Sequence, residues 1–206
     1  MEKKDLSALF KASYGLYVLS AKNDEKESAC IVNTFMQITA NEPVGCIVSV
    51  NKQNYTTEMI LKTKKFNLSV LSTDVPFEIF KRFGYQSGRE VDKFKGFSDF
   101  DRSENGLIFL TKDANAFFSF DVVESIDFDT HVVLKATLTE SAMLNGKESM
   151  TYDYYQQYVK SKPQAQAVEK TGYRCTICGY VYGDEPPPTG YYCLVCHYDV
   201  TYFEKV

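Results

Sequence analysis

Apolar residues recur along the chain in short β-branched and aromatic runs separated by polar breaks: Leu16 to Leu19, Ala29 to Thr39, Val44 to Val50, Phe66 to Leu71, Leu107 to Leu110, Ala116 to Val123 and Val132 to Leu138. Runs of this length and composition predict strands. Helical signals are fewer. Thr56-Thr57-Glu58-Met59-Ile60-Leu61 sets hydroxyls suited to an N-cap before helix formers, Pro76 suits the first position of a helix over Phe77 to Phe83, and a third helical segment lies around Tyr152 to Val159. Many strands with a few helices predict a mainly β body, a barrel or sandwich with helices laid against it. Neither G-x-G-x-x-G nor G-x-x-x-x-G-K-[ST] occurs, so a Rossmann site and a P-loop are without support.

The pattern fails near residue 160. Ser161 to Gly172 has almost no apolar periodicity and carries Pro163 and Gly172, the composition of a linker. The expected division is a body over residues 1–160, a linker over 161–172 and a small module over 173–206. A module of that size rarely folds unaided, because it buries too little surface without a metal, disulfides or a partner.

Four of the six cysteines lie in that module, as Cys175, Cys178, Cys193 and Cys196, spaced C-x2-C-x14-C-x2-C. With no apolar leader after Met1-Glu2-Lys3-Lys4-Asp5, a reducing compartment is expected, and there the spacing predicts a tetrathiolate metal site. Cys30 and Cys46 stand singly in apolar runs and are expected to be core. The longest apolar run is too short to span a bilayer, and a net charge of -4 gives no footprint for nucleic acid or anionic lipid. The expectation is a soluble cytoplasmic protein with no nucleic-acid or membrane partner.

Each C-x-x-C suits a knuckle in which two thiolates face one ion, with Gly179 at the tight turn after Cys178 and His197 at the matching place after Cys196. Ligand count alone leaves zinc and iron open. The stretch Tyr173-Arg174-Cys175-Thr176-Ile177-Cys178-Gly179-Tyr180-Val181-Tyr182-Gly183-Asp184-Glu185-Pro186-Pro187, with Tyr192-Cys193-Leu194-Val195-Cys196 and a late Phe203-Glu204, resembles rubredoxin, in the short form found at the end of rubrerythrins. The resemblance implies one iron held by Cys175, Cys178, Cys193 and Cys196. Leu194 and His197 depart from it where proline and glycine are common, and the alternative is a zinc ribbon.

Two stretches of the body carry more polar groups than a strand frame needs. Ser49-Val50-Asn51-Lys52-Gln53-Asn54-Tyr55-Thr56-Thr57-Glu58 leaves a strand and enters a helix, gathering hydroxyls, amides, an ammonium and helix N-terminal N–H groups into a phosphate cradle, or else a plain turn and cap. Phe83-Gly84-Tyr85-Gln86-Ser87-Gly88-Arg89-Glu90-Val91-Asp92-Lys93-Phe94 suits closure over an anion or a solvated loop. Together with Cys30-Ile31-Val32-Asn33-Thr34-Phe35-Met36-Gln37-Ile38-Thr39, these stretches are similar to the flavin reductase-like family of FMN-binding split barrels, from about residue 7 to residue 155. The similarity implies a six-stranded antiparallel split β-barrel, a homodimer, and FMN near the subunit interface. Asn33, Thr34 and Gln37 would face the isoalloxazine, and Ser49, Asn51, Lys52, Asn54 and Thr56 the ribityl and phosphate groups. Ser87, Arg89 and Lys93 would close over the anion, and His131 would stand near flavin and nicotinamide as the catalytic residue.

Electron counting joins the two modules. NAD(P)H delivers a hydride, a single iron accepts one electron, and FMN can do both. The expected function is electron transfer from NAD(P)H through FMN to the four-cysteine iron. By resemblance the redox partner would be a flavodiiron protein or rubrerythrin, which remove oxygen, nitric oxide or peroxide in anaerobes. The alternatives are a flavin reductase with a structural zinc ribbon, and a non-catalytic flavin and iron electron shuttle.

Overall fold

The structure, a computed structural model, describes residues 6–24, 26–160, 172–176, 180–193 and 198–206. Ser13–Val159 forms one compact unit, and Met1–Ala12 with Lys160–Val206 forms the other. Among the described residues no helix is long and apolar enough to cross a membrane.

The body contains β1 (Tyr17–Lys22), β2 (Glu27–Val32), β3 (Phe35–Gln37), β4 (Gly45–Asn51), α1 (Tyr55–Thr63), β5 (Lys65–Leu71), α2 (Phe77–Gly84), β6 (Phe100–Arg102), β7 (Ile108–Leu110), β8 (Ala114–Asp127) and β9 (His131–Met143). A helical turn, Tyr152–Tyr154, continues as a π-helix over Tyr155–Val159. Seven strands form one antiparallel sheet in the order β2-β1-β5-β8-β9-β4-β3, and β6 pairs with β7 as a separate hairpin.

Connectivity forces this sheet to curl. β2 and β3 are its opposite edges, yet only Asn33 and Thr34 join them. Those links reach about 10–11 Å at most, whereas seven flat strands at about 4.8 Å spacing would put the edges near 29 Å apart. The sheet is therefore a curled half-barrel whose edges approach at Asn33-Thr34. There Thr34 Oγ1 donates to the Ser49 carbonyl at 3.0 Å and Ser49 N–H to the Thr34 carbonyl at 3.1 Å.

The structure differs from the sequence expectation in three ways. The apolar run Ala29 to Thr39 is two strands rather than one, because the chain turns the corner at Asn33-Thr34, and the sheet has seven strands instead of six. β8 and β9 run well past Val123 and Leu138, joined by the short link Phe128-Asp129-Thr130, in which Phe128 N–H is bonded to the His131 carbonyl at 2.8 Å. The residues added beyond Val123 and Leu138 are mostly exposed, polar Glu124 and Ser125 mixed with apolar Ile126 and Met143, so burial ends before backbone pairing does. A register shift between Val122 and Glu124 leaves the added residue Val123 exposed at a bulge.

Alternation along β1 and β2 divides the core. Leu19, Ala21, Cys30 and Val32 face the barrel interior with Val48, Val50, Phe66, Phe120 and Leu134, closed by Met59 and Ile60 of α1. Leu16, Val18 and Ala29 face the other way, under Ile79, Phe80 and Phe83 of α2. Strands covered on both faces explain why these two runs read as almost continuously apolar. Cys30 and Cys46 are both buried core, as expected.

In the tail, β10 (Tyr173–Cys175) pairs antiparallel with β11 (Phe203–Lys205), and a 3-10 turn over Val200–Tyr202 leads into β11. Gly172 belongs to this fold, since it exchanges backbone bonds with Val206 at 3.2 and 2.8 Å. Its φ of 155° and the Gly183 carbonyl, 2.8 Å from where a Cβ would stand, both require glycine. The remaining linker residues, 161–171, lie outside the described residues.

Candidate functional site

The polar rim of the half-barrel gathers where β4 passes into α1. Register places Asn51 directly opposite His131 across β4 and β9, and Lys52 N–H donates to the Thr130 carbonyl at 3.0 Å. Thr130 Oγ1 lies 2.8 Å from His131 Nδ1. The Lys52 ammonium is held by Asp127 at 2.5 Å, both side chains in reach of solvent. Asn51 Oδ1 accepts from Gln53 N–H at 2.8 Å and the Asn51 carbonyl accepts from Thr57 Oγ1 at 2.7 Å, which pins the chain as it enters the helix.

α1 starts from Asn54 in extended conformation with no side-chain cap bond: the Asn54 carbonyl takes Thr57 N–H at 3.0 Å, and the N–H groups of Tyr55 and Thr56 take nothing from the Asn54 side chain. Such an end favours an anion through its unfilled donors and the helix dipole. With Ser49, Asn51, Lys52 and Asn54 on the same rim, the donor set fits a sugar-phosphate chain. Thr56 does not face outward: it is buried, with its hydroxyl 3.4 Å from Ser28 Oγ. Burial pushes the Cys30 thiol up to about 11, so it stays protonated and chemically quiet at neutral pH.

The loop after α2 closes one side of this rim. Arg89 pairs with Glu58 on the exposed side of α1, and its guanidinium lies 5.3 Å from the Tyr55 ring centre. Ser87 takes the N–H groups of Glu90 and Val91 on its carbonyl. Lys93 points inward, only 4% exposed, and donates to the carbonyls of Ala29 at 2.8 Å and Phe83 at 2.9 Å. Of the residues expected to face the ring, Asn33 and Thr34 sit at the corner between the sheet edges. Gln37 is exposed on β3, bonded to the Thr39 carbonyl at 2.7 Å.

The tail holds a repeated hairpin. Cys175 N–H donates to the Tyr180 carbonyl at 2.8 Å, and Cys193 N–H donates to the Tyr198 carbonyl at 2.7 Å. Flanking bridges match as well, Arg174 with Val181 and Tyr192 with Asp199. The two C-x-x-C-x-Tyr segments thus share one backbone pairing, and Cys175 and Cys193 are both fully buried. Two equivalently paired, buried cysteines, Cys175 and Cys193, each opening a C-x-x-C in the sequence, are a start that fits a four-sulfur metal. Cys178 and Cys196, like Gly179 and His197, lie outside the described residues, and among the described residues no group of three metal-ligating side chains stands together. Burial raises the Tyr191 phenol well above its ordinary range, in an aromatic packing with Tyr182 and Phe203.

Sequence reasoning missed Asp127, Thr130 and Glu58, which hold Lys52, His131 and Arg89. The signal for the first two was Asp127-Phe128-Asp129-Thr130-His131, a polar link between two apolar runs that reads as a hairpin end once both strands are extended.

Residues 9–161 match the family described as Flavin reductase like domain, and the chain belongs to that family. Over 191 residues it is 37% identical to a high molecular weight rubredoxin of Moorella thermoacetica, a match covering 86% of this chain and 82% of that protein. Over 158 residues it is 31% identical to a ferric-chelate reductase (NAD(P)H) of Archaeoglobus fulgidus, covering 77% of this chain and 92% of that one. Among solved structures it is similar in fold to an FMN-binding protein from Thermus thermophilus, with a TM-score of 0.61 at 20% identity, covering 71% of this chain and 79% of the other.

Proposed function

We propose that this chain is an NAD(P)H-dependent oxidoreductase whose body binds FMN and whose tail carries one iron on Cys175, Cys178, Cys193 and Cys196, passing electrons to a separate redox partner. The observation that carries this reading is the pair of matched cysteine hairpins in a chain whose body belongs to the flavin reductase family. Two comparisons support it. A match over 86% of the chain necessarily runs past the family domain into the cysteine-bearing tail, and the Archaeoglobus relative, named for NAD(P)H, is almost fully covered by a match of 77% of this chain.

Bound FMN would supply hydride acceptance with release of single electrons, and a tetrathiolate iron would supply one-electron storage. The chain's own residues bind and orient. The first turn of α1 with Ser49, Asn51, Lys52 and Asn54 holds the ribityl and phosphate groups, Lys52 exchanging Asp127 for the anion. Asn33, Thr34 and Gln37 line the ring side. His131 stands opposite Asn51 with Nδ1 engaged by the Thr130 hydroxyl, which fixes its ring toward the same rim. Exposed Met36, Ile38, Ile126 and Phe128 leave apolar surface on and just after β3 and near the β8–β9 turn, the kind of face a second copy would cover.

The test is the visible spectrum of anaerobically purified protein titrated with NADH or NADPH. Bleaching of both flavin and iron bands is the expected result. A flavin that bleaches beside unchanged iron, or beside zinc, would refute transfer to the tail. Bound flavin and iron that both ignore nicotinamide would refute the donor.

A further inference from the structure

The segment from Tyr85 to Phe94 carries the marks of a mobile lid, with Gly88, Ser87 and several charges. Its contacts say otherwise. Lys93 is among the most buried charged groups of the body, and a lysine is almost never buried unless its ammonium is partnered. Here the partners are two carbonyls, Ala29 on β2 at 2.8 Å and Phe83 in the last turn of α2 at 2.9 Å. The second is the favourable end of a helix for a cation.

The bond to α2 is returned. Arg82 Nη1 donates to the Lys93 carbonyl at 3.0 Å and to the Lys95 carbonyl at 3.2 Å, with its guanidinium 5.3 Å from the Phe97 ring centre. Further along the loop, a Cβ on Gly88 would collide with Ser28 Oγ, so loop and β2 are in direct backbone-close contact. Arg89 then reaches Glu58 and Tyr55 on α1. The loop is anchored to three elements, and Lys93 is the only anchor that is buried and charged among these described contacts.

We infer that Lys93 is a positioning residue: its ammonium pegs the Tyr85 to Phe94 loop to β2 and α2 and so holds a fixed wall beside the first turn of α1. Reaching an anion at that turn would break both bonds and strand the carbonyls of Ala29 and Phe83 in the interior. The peg acts on the cofactor through the wall, and to that extent the inference rests on the FMN reading above.

Three variants test it, each by hydrogen exchange of the ligand-free protein and by FMN affinity across a salt series. K93M is expected to speed exchange of the Glu90 and Val91 amides, both bonded to the Ser87 carbonyl, by about tenfold, and to weaken FMN by a similar factor, as loss of a charge-assisted pair predicts. The salt dependence of FMN binding should match wild type, because no direct charge contact is removed. K93R should restore much of both. Should K93M not fold, G88A lifts the same loop without touching the charge, and faster exchange with weaker FMN binding supports the wall. Wild-type exchange in K93M, with weaker FMN binding and a flatter salt dependence, would overturn the inference in favour of direct contact with the anion. Unchanged exchange and affinity in K93M or G88A would overturn it outright. If wild type itself binds no FMN while the exchange arm responds as expected, the cofactor reading fails and the peg stands.

Discussion

Glu27 shows how a single side chain joins separate parts of the body. It begins β2, yet both its oxygens accept from Arg102 on β6, at 2.6 and 2.9 Å, and Lys22 stands 3.7 Å away. The forked bonds from Arg102 hold its carboxyl below the usual carboxylate range, against a burial that pushes the other way. A carboxylate whose folded pKa lies below its unfolded value stabilises above the unfolded value, about 4.3, and loses that contribution as pH falls through the folded value. E27Q should therefore cost about 0.5–1 kcal/mol at pH 7, the range of a half-exposed ion pair. The gap to wild type should close progressively below about pH 4.3. Urea unfolding at pH 7 and pH 3 checks it, and an equal gap at both would show that the pair is not the source.

At the scale of elements, the hairpin β6–β7 is docked by buried hydrogen bonds as well as by the apolar side chains of Ile108, Phe109 and Leu110. Asn67 on β5 is fully buried, donates to Ser103 Oγ at 2.7 Å and the Leu107 carbonyl at 3.1 Å, and accepts from Asn105 at 2.9 Å. Ser20 on β1 adds a bond to the Ile108 carbonyl at 2.5 Å, and Ser69 takes the Leu110 N–H at 2.9 Å. N67A strands several buried partners at once and should cost about 2–4 kcal/mol, read as a shift in the chemical unfolding midpoint. A loss under about 0.5 kcal/mol, as for a surface site, would mean that water already satisfies the network. This docking was not legible in the sequence. The run Phe66 to Leu71 predicts a strand, but nothing in it marks Asn67 and Ser69 as the side that the hairpin covers. The corner at Asn33-Thr34 was hidden in the same way, since a two-residue crossing between sheet edges leaves no break in hydrophobicity. By contrast the strand runs, both longer helices, and the buried Cys30 and Cys46 were readable, because apolar periodicity reports burial directly. The residues of the α1 rim were readable as a set. The directions of Thr56 and Lys93 were not, because composition carries charge but not orientation.

At the scale of the whole chain, the body and the cysteine-bearing tail differ in self-sufficiency. The body closes a two-sided core that includes Phe66, Phe80, Phe83 and Phe120, each almost wholly buried. The tail has a three-residue strand pair, a 3-10 turn and aromatic packing, with Cys175 and Cys193 inside. Among the described residues this is a small core to set against the ordering of the tail's backbone, at about 1–2 kcal/mol per residue, whereas a structural metal contributes folding energy outright. The repeated pairing of Cys175 with Tyr180 and of Cys193 with Tyr198 is the part of the tail that a shared ion would hold together. C193S, or exhaustive chelation, should therefore release these amides to exchange at least about a hundredfold faster, while β8 and β9 stay at wild-type protection. The converse observation decides against the metal reading. If the Cys175 and Cys193 amides keep their protection after the ion is removed, the hairpins are held by their tyrosine packing, and the four sulfurs serve something other than the fold.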